Sequence, residues 1–275
     1  MVTSSSSDST SFATESGDST MRVIAFANQK GGVGKTTTAV NTSVMLATRG
    51  LRVLLIDLDP QGNTTSSLGI DKSGLDQTTY DVVIEGVALA EVAIATGRER
   101  VDLLPATPML AAAEVDLVSV VHRERRLKRA LALVAATYDL AIIDCPPSLG
   151  LLTVNGLTAA NHVIIPIQCE FLALEGVSQL ITTIDLVKRQ LNPDLDLLGV
   201  LMTMFDTRTN LSSSVVAEVR RFFPDRIFST IVPRSVRLAE APSYGQSIDE
   251  YDPSSRGGQA YREFTNELIE RLGLR

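Results

Sequence analysis

Short runs of apolar residues alternate along the chain with longer segments whose apolar residues recur every three or four positions. A continuous apolar run is typical of a strand buried on both faces, as in a parallel sheet. The runs predict strands at residues 23–27, 53–57, 101–104, 140–144, 163–167, 198–204 and 227–232. Strands that alternate with helices indicate an α/β fold, a mainly parallel twisted sheet with helices on both faces.

The helical segments lie between these runs. Their spacing predicts helices at residues 39–48, 153–160, 174–190, 213–222 and 256–272. A further helix is predicted with Thr107 as its cap and Pro108 in its first turn, and it could extend into residues 123–134. The last helix carries Tyr261, Phe264 and Leu268 at helical spacing, and we expect this side to pack on the core.

Composition narrows the class of protein. Residues 1–20 are rich in Ser and Thr and have no basic residue, which predicts a disordered tail. Residues 21–275 show neither an internal repeat nor a linker, so we expect one domain.

The net charge of −7 excludes a globally basic nucleic-acid binder, although it leaves room for a local basic patch. Two cysteines in 275 residues and no secretory signal or membrane-length apolar run predict a cytoplasmic protein.

A glycine-rich loop stands between the first predicted strand and the first predicted helix. Glycines let backbone N–H groups point towards an anion, and the helix N-terminus adds its positive end. Lys35 can contact terminal phosphates, and the Thr36 hydroxyl can bind a magnesium ion. The predicted phosphate-binding residues are Lys30, Gly31, Gly32, Val33, Gly34, Lys35, Thr36 and Thr37.

Carboxylates follow two further strands. Asp57 and Asp59 end the second run and Asp144 ends the fourth, so all three should reach the edge of the sheet where the glycine loop lies. Asp144 is predicted to hold magnesium opposite Thr36. An aspartate pair before a proline is also typical of a simple turn. The magnesium interpretation is nevertheless strong, because the glycine loop, the Asp57–Asp59 pair and the strand that ends in Asp144 occur in this order along the chain.

The glycine loop departs from the usual GxxxxGK[ST] pattern, because Asn28 or Gln29 stands at the first glycine position and a second lysine, Lys30, follows. In this respect it resembles the deviant Walker A group of P-loop ATPases, which includes ParA-type partitioning ATPases, MinD-type ATPases and the nitrogenase iron protein. The stretch from Asp57 to Asn63, D-x-D-P-Q-G-N, resembles switch I of the ParA type. The resemblance implies ATP and Mg²⁺ as cofactors and slow ATP hydrolysis.

The resemblance also implies catalytic roles for Lys30, Lys35 and Asp59. Asp59 would orient or activate the attacking water and contribute to the metal site with Thr36 and Asp144. Lys30 would reach the partner subunit's phosphates when two ATP-loaded subunits form a sandwich homodimer. Asp57 would serve the magnesium site or the geometry of the loop.

Two C-terminal stretches extend the resemblance to chromosomal ParA proteins, one at residues 205–211 and one at 233–245. By composition alone they are loops with scattered arginines, for which surface ion pairs are a sufficient explanation. The resemblance implies that Arg208 and Arg237 bind double-stranded DNA without sequence preference. It further implies that backbone around Met204 and Pro233 frames the adenine.

The implied function is DNA segregation, in which a ParB-type centromere-binding partner stimulates hydrolysis on a nucleoid-associated dimer. Two alternatives stay open: a MinD-like membrane-cycling regulator, and a positioning ATPase for another cargo. The polar side of the last helix carries Glu263, Glu267 and Glu270 against Arg262 and Arg271. An anionic membrane would repel this balance of charges, so we expect no membrane contact.

Overall fold

The computed structural model describes residues 21–171, 173–174 and 176–274, so the tail predicted at residues 1–20 lies outside it. Within the described residues, eight strands form one sheet in the order β3-β4-β2-β5-β1-β6-β7-β8. Only β3 is antiparallel to its neighbour in this sheet. The strands are β1 (Arg22–Phe26), β2 (Val53–Asp57), β3 (Ile94–Ala95), β4 (Val101–Leu104), β5 (Leu140–Asp144), β6 (His162–Gln168), β7 (Asp196–Phe205) and β8 (Ile227–Pro233).

Helices cover both faces of this sheet. The α-helices of the described residues are α1 (Lys35–Ala47), α2 (Asn63–Ser67), α3 (Leu89–Val92), α4 (Ala113–Asp116), α5 (Arg126–Ala132), α6 (Leu151–Ala159), α7 (Val177–Gln190), α8 (Asn210–Phe222), α9 (Val236–Glu240), α10 (Ile248–Tyr251) and α11 (Arg256–Leu272). The predicted fold class is therefore confirmed. Strands β2, β4 and β5 have the predicted limits, because a buried apolar run marks both of their ends.

Alternate residues of the central strands enter two separate cores, as the twofold repeat of a strand requires. In β1, Ile24 and Phe26 pack in the core that contains α1 and α11. Val23 and Ala25 pack in the core that contains residues of α5 to α8. The central strands are thus buried on both sides, which explains why their sequence is apolar without alternation.

Three element predictions were incomplete. Helix α1 begins at Lys35 and not at residue 39, because Gly34 takes a left-handed conformation (φ 90°) that starts the helix before its first apolar residue. Strand β3 has only two residues and is too short for a periodicity to reveal. The helix predicted from Thr107 is broken, because Val120 is extended and His122 is left-handed (φ 56°).

Helix α11 packs as predicted. Its residues Tyr261, Phe264 and Leu268 are buried against β8 and α1. The Tyr261 hydroxyl also lies 3.0 Å from Thr38 Oγ1 at the second turn of α1. The apolar side of α11 is therefore occupied by the core and is not available to a membrane surface. Within the described residues, every helix is too short or too polar to cross a membrane.

The packing of α11 gives a stability prediction. Leu268 is 0% exposed, so Leu268→Ala should lower the free energy of unfolding by about 2–5 kcal/mol through lost burial and a residual cavity. Leu133→Ala is the matched control, because Leu133 is 80% exposed. Urea unfolding followed by circular dichroism measures both. Equal losses in the two variants would contradict the position assigned to α11.

Candidate functional site

The glycine loop wraps the N-terminus of α1. Gly32 and Gly34 have positive φ (74° and 90°), a conformation that side-chain-bearing residues rarely adopt. Lys35 follows as the first residue of α1 and is buried. Its ammonium donates to the carbonyl of Lys30 at 3.3 Å. Burial lowers the pKa of Lys35, and the charges of Asp144 and Asp59 oppose this shift.

Asp144 lies at the centre of the site, fully buried at the end of β5. Its Oδ2 accepts hydrogen bonds from Thr36 Oγ1 at 2.6 Å and from Thr64 Oγ1 at 2.8 Å. Its Oδ1 is buried and has no hydrogen-bond partner among the described residues. Burial raises the pKa of this carboxyl to about 6. An unpartnered carboxylate oxygen beside a threonine hydroxyl suits a hard divalent cation, so the predicted magnesium residues Thr36 and Asp144 fit that ion.

Asp57 ends the neighbouring strand β2 and Asp59 follows it, and the two carboxylates make different contacts. Both oxygens of Asp57 are engaged, since Thr65 donates twice to Oδ2 and the Asp59 N–H donates to Oδ1 at 3.3 Å. Burial and the charge of Asp144 raise the pKa of Asp57 to about 8. Of the two interpretations of Asp57, the contacts favour loop geometry, because they fix the start of α2.

Asp59 is also buried, and its Oδ1 accepts a hydrogen bond from the N–H of Gln61 at 2.9 Å. Its charge raises the pKa of Lys35, so the two groups lie close enough to interact. The structure therefore brings Asp59 to the same edge as Lys35, Thr36 and Asp144, as predicted from the order of the strands.

Two threonines of the site were missed in the sequence. Thr203, in β7, donates from its hydroxyl to the carbonyl of Val33 at 2.8 Å and so supports the glycine loop from the other half of the sheet. Thr64 is the second donor to Asp144. Thr64 lies one residue after the D-x-D-P-Q-G-N stretch, so that motif could have indicated it. Thr203 belongs to no motif, and a threonine is common in strands.

Met204 and Pro233 come together beside the glycine loop. Both line a cavity of about 270 Å³ whose other walls include Gly34, Thr37 and Tyr261. They meet because β7 and β8 are parallel neighbours, with Phe205 in register with Pro233. A partly apolar cavity next to a phosphate-binding loop has the position that a nucleotide base requires.

Lys30 is turned towards a different part of the molecule. Its ammonium forms an ion pair with Glu170 Oε1 at 2.5 Å, and both side chains are about one-third exposed (36% and 37%). Only the backbone carbonyl of Lys30 contacts Lys35. The structure therefore places the Lys30 side chain in a contact with the segment that follows β6.

The two predicted DNA-binding arginines lie at the surface and are ion-paired. Arg208 binds Asp206 with a shortest distance of 2.6 Å, which holds the pKa of Asp206 well below its usual range. Arg237 contacts Glu240 at 3.0 Å and Asp252 at 3.5 Å. The Arg208 and Arg237 side chains stay 82% and 54% exposed. Surface ion pairs and an anion-binding surface are thus both compatible with their positions.

Comparison with known proteins decides the family. The family described as an AAA domain matches residues 21–197. The sporulation initiation inhibitor protein Soj of Bacillus subtilis is 53% identical over 247 residues, which cover 90% of this chain and 98% of Soj. The chromosome partitioning protein ParA of Myxococcus xanthus is 52% identical over 250 residues, covering 91% of this chain and 88% of ParA. The chain belongs to the ParA/Soj family.

A solved structure shares the fold and informs the site. The cobyrinic acid a,c-diamide synthase of Mycobacterium smegmatis, with bound ADP and magnesium, is 43% identical with a TM-score of 0.82. The match covers 92% of this chain and 96% of that one. The same protein is also known with a bound ATP analogue and magnesium. Its name denotes a different activity from that of Soj or ParA, so the ParA/Soj fold alone does not identify a reaction.

The support that Thr203 gives to the loop can be tested. Thr203→Val removes the hydroxyl and leaves the Val33 carbonyl buried without its donor, which should cost the folded protein about 1–3 kcal/mol. The loop then loses its fixed conformation before ATP binds, so the affinity for ATP should fall as well. Isothermal titration with ATP and Mg²⁺ measures the loss. Thr182→Val is the control, since the Thr182 hydroxyl bonds only within the exposed part of α7. An affinity unchanged in Thr203→Val would contradict this role.

Proposed function

We propose that this chain is an ATP-dependent DNA-segregation ATPase whose residues 21–275 act as one domain. The observation that carries the proposal is the buried Asp144 Oδ1, left without a partner beside the Thr36 hydroxyl and close to the Lys35 charge. Such an oxygen is costly to bury unless a ligand satisfies it, and magnesium with a nucleotide would do so. Membership of the ParA/Soj family supports the same conclusion.

Nucleotide binding follows from the loop. Backbone N–H groups of residues 31–37 and the start of α1 face the phosphates, with Lys35 as the buried cation. Thr36 and Asp144 hold Mg²⁺, to which Asp59 also contributes. The base occupies the cavity beside Met204 and Pro233. The ADP and ATP-analogue complexes of the M. smegmatis relative support both ligands.

Hydrolysis of a phosphoanhydride depends mainly on positioning and on stabilisation of charge. Asp59 orients the attacking water, and its own Oδ1 is held by the N–H of Gln61. Lys35 stabilises the negative charge that develops on the phosphate oxygens. The reaction is slow because one subunit carries only part of this charge, and it is accelerated by a ParB-type partner.

The missing charge comes from Lys30 of a second subunit. On its own subunit the Lys30 side chain is paired with Glu170 and makes no contact with Lys35 through its ammonium. When two ATP-loaded subunits face each other, each Lys30 contacts the nucleotide of the other. ATP is thereby the ligand that favours the dimer, and hydrolysis removes this preference.

The dimer then binds double-stranded DNA through Arg208 and Arg237 of both subunits. Exposed ion pairs contribute little to stability, so phosphates can replace Asp206 and Glu240 at these arginines. Doubling of the contacts in the dimer makes DNA affinity depend on ATP. The protein cycles in the cytoplasm between the nucleoid-bound dimer and a released form.

Two alternatives are distinguished by direct measurement. A MinD-like membrane role is disfavoured because the apolar side of α11 is buried in the core. Co-sedimentation with DNA and with anionic liposomes, each with ATP, separates the two roles. An ATPase that positions another cargo would use the same nucleotide cycle as a DNA-segregation ATPase. The identity of the partner that stimulates hydrolysis distinguishes these two functions.

The nucleotide site yields a paired prediction. Lys35→Ala should abolish ATP binding, because the buried counter-charge to the phosphates is lost. Asp59→Ala should bind ATP, lose hydrolysis and accumulate as a DNA-bound dimer. Phosphate release and size-exclusion chromatography with ATP and DNA measure both. Asp225→Ala, at an exposed carboxylate before β8, is the control. Hydrolysis at the wild-type rate in Asp59→Ala would refute its assigned role.

The DNA surface yields a second prediction. Arg208→Ala or Arg237→Ala should keep ATP-dependent dimerisation and lose DNA binding. Because each dimer loses two phosphate contacts, the residual binding at low salt should have a slope of log K against log salt that is smaller in magnitude by about 1.8. Gel-shift titrations at several salt concentrations measure this slope. Arg226→Ala, at a similarly exposed ion pair before β8, should behave as wild type, and full DNA retention in the two test variants would reject the surface.

A further inference from the structure

One ion pair joins the glycine loop to the segment that follows β6. Lys30 Nζ lies 2.5 Å from Glu170 Oε1. In the proposed function, Lys30 completes the nucleotide site of the partner subunit. Glu170 has no role in that proposal. The pair is formed within one subunit, so it competes with any contact that Lys30 makes across a dimer.

The backbone holds both ends of this pair in place. On the lysine side, the Lys30 N–H donates to Asn28 Oδ1, and Asn28 Nδ2 donates to the Pro166 carbonyl in β6 at 2.7 Å. On the glutamate side, the Glu170 N–H donates to the Gln168 carbonyl at 2.8 Å. The Cys169 N–H donates to the Thr203 carbonyl at 2.9 Å. The pair therefore follows from the way in which the loop and the end of β6 are attached to each other.

Thr203 connects the two sides directly. Its carbonyl holds the residue before Glu170, and its hydroxyl holds the Val33 carbonyl of the glycine loop. Glu170 is thus fixed to the same strand that supports the phosphate-binding backbone. A contact between Lys30 and Glu170 requires no rearrangement of the subunit.

The pair is also easy to break. Both side chains are about one-third exposed, and ion pairs of this exposure are weak and are screened by salt. The flexible stem of Lys30 can therefore leave the carboxylate without a large cost. An anion that displaces Glu170 from the Lys30 ammonium has to carry more negative charge than one carboxylate.

We propose that Glu170 is a positioning residue that retains the Lys30 ammonium within its own subunit until a partner-bound ATP displaces it. The inference rests on the proposed function, in which Lys30 acts on the partner's nucleotide. The γ-phosphate adds charge that ADP lacks, so ATP competes for Lys30 better than ADP does. Glu170 thereby sets the protein concentration at which ATP-loaded subunits assemble.

The test is the dimer dissociation constant of Glu170→Gln with a non-hydrolysable ATP analogue and Mg²⁺, measured by sedimentation velocity. The amide keeps the side-chain volume and removes the charge. Two retained lysines are released per dimer, so dimerisation should tighten by about two- to thirty-fold at low salt. The gain should shrink as the salt concentration rises.

Two controls separate this effect from a structural one. Asp196→Asn breaks a pair of similar exposure with Arg226, located at the start of β7 and away from the glycine loop. It should leave the dimer dissociation constant unchanged. Affinity of the monomer for the ATP analogue, measured well below the dimer dissociation constant, should be the same in Glu170→Gln and wild type.

The possible outcomes are distinct. If the wild type forms a dimer with the ATP analogue and Glu170→Gln forms it equally well or less well, Glu170 does not retain Lys30 and the inference is wrong. A weaker dimer would make Glu170 a contact of the assembled state. If the wild type stays monomeric with the analogue, the proposed function itself fails, and this inference fails with it.

Discussion

Two threonine hydroxyls, on Thr36 and Thr64, donate to one oxygen of the Asp144 carboxylate. This contact ties the end of β5 to the first turn of α1 and to α2, three segments that lie far apart in the chain. It is possible because β2, β5 and β1 are adjacent and parallel, so their carboxyl ends share one edge of the sheet. It is required because a fully buried carboxylate is costly unless its oxygens are satisfied. The other oxygen of the carboxylate, Oδ1, accepts no hydrogen bond from the described residues and so suits a metal ion as its ligand.

The four cations predicted as site residues fall into two groups that differ in exposure. Lys35 is buried beside Asp144 and Asp59, at the site where we propose that the nucleotide of its own subunit binds. Lys30, Arg208 and Arg237 are exposed, and each is paired with a carboxylate of its own chain. An exposed pair can exchange its anion at small cost, whereas a buried one cannot. The proposed contacts outside the subunit, with the partner's nucleotide and with DNA, are all made by these exposed side chains.

Relatives of this chain bear names that denote different activities on closely similar folds. A glycine loop, a carboxylate at the end of β5 and a threonine can recur wherever the sheet recurs, so the fold alone does not select one of these activities. The residues placed around that edge, and not the fold itself, set the function. In this chain the surface carries the paired arginines near the ends of β7 and β8 and the Lys30–Glu170 contact.

The sequence by itself located seven of the eight strands of the described residues, together with the polar residues that follow them. Strands β2, β4 and β5 could be located to the residue because buried apolar residues dominate them, and the loop and carboxylate motifs are local in the chain. Only the tertiary structure showed that Asp57 serves the loop, that Thr203 supports Val33, and that Glu170 holds Lys30. Thr203 and Val33 are 170 positions apart, and no local periodicity records such a contact. The Thr203–Val33 and Glu170–Lys30 contacts exist because β6 and β7 extend the sheet on the far side of β1, which brings distant residues to one edge.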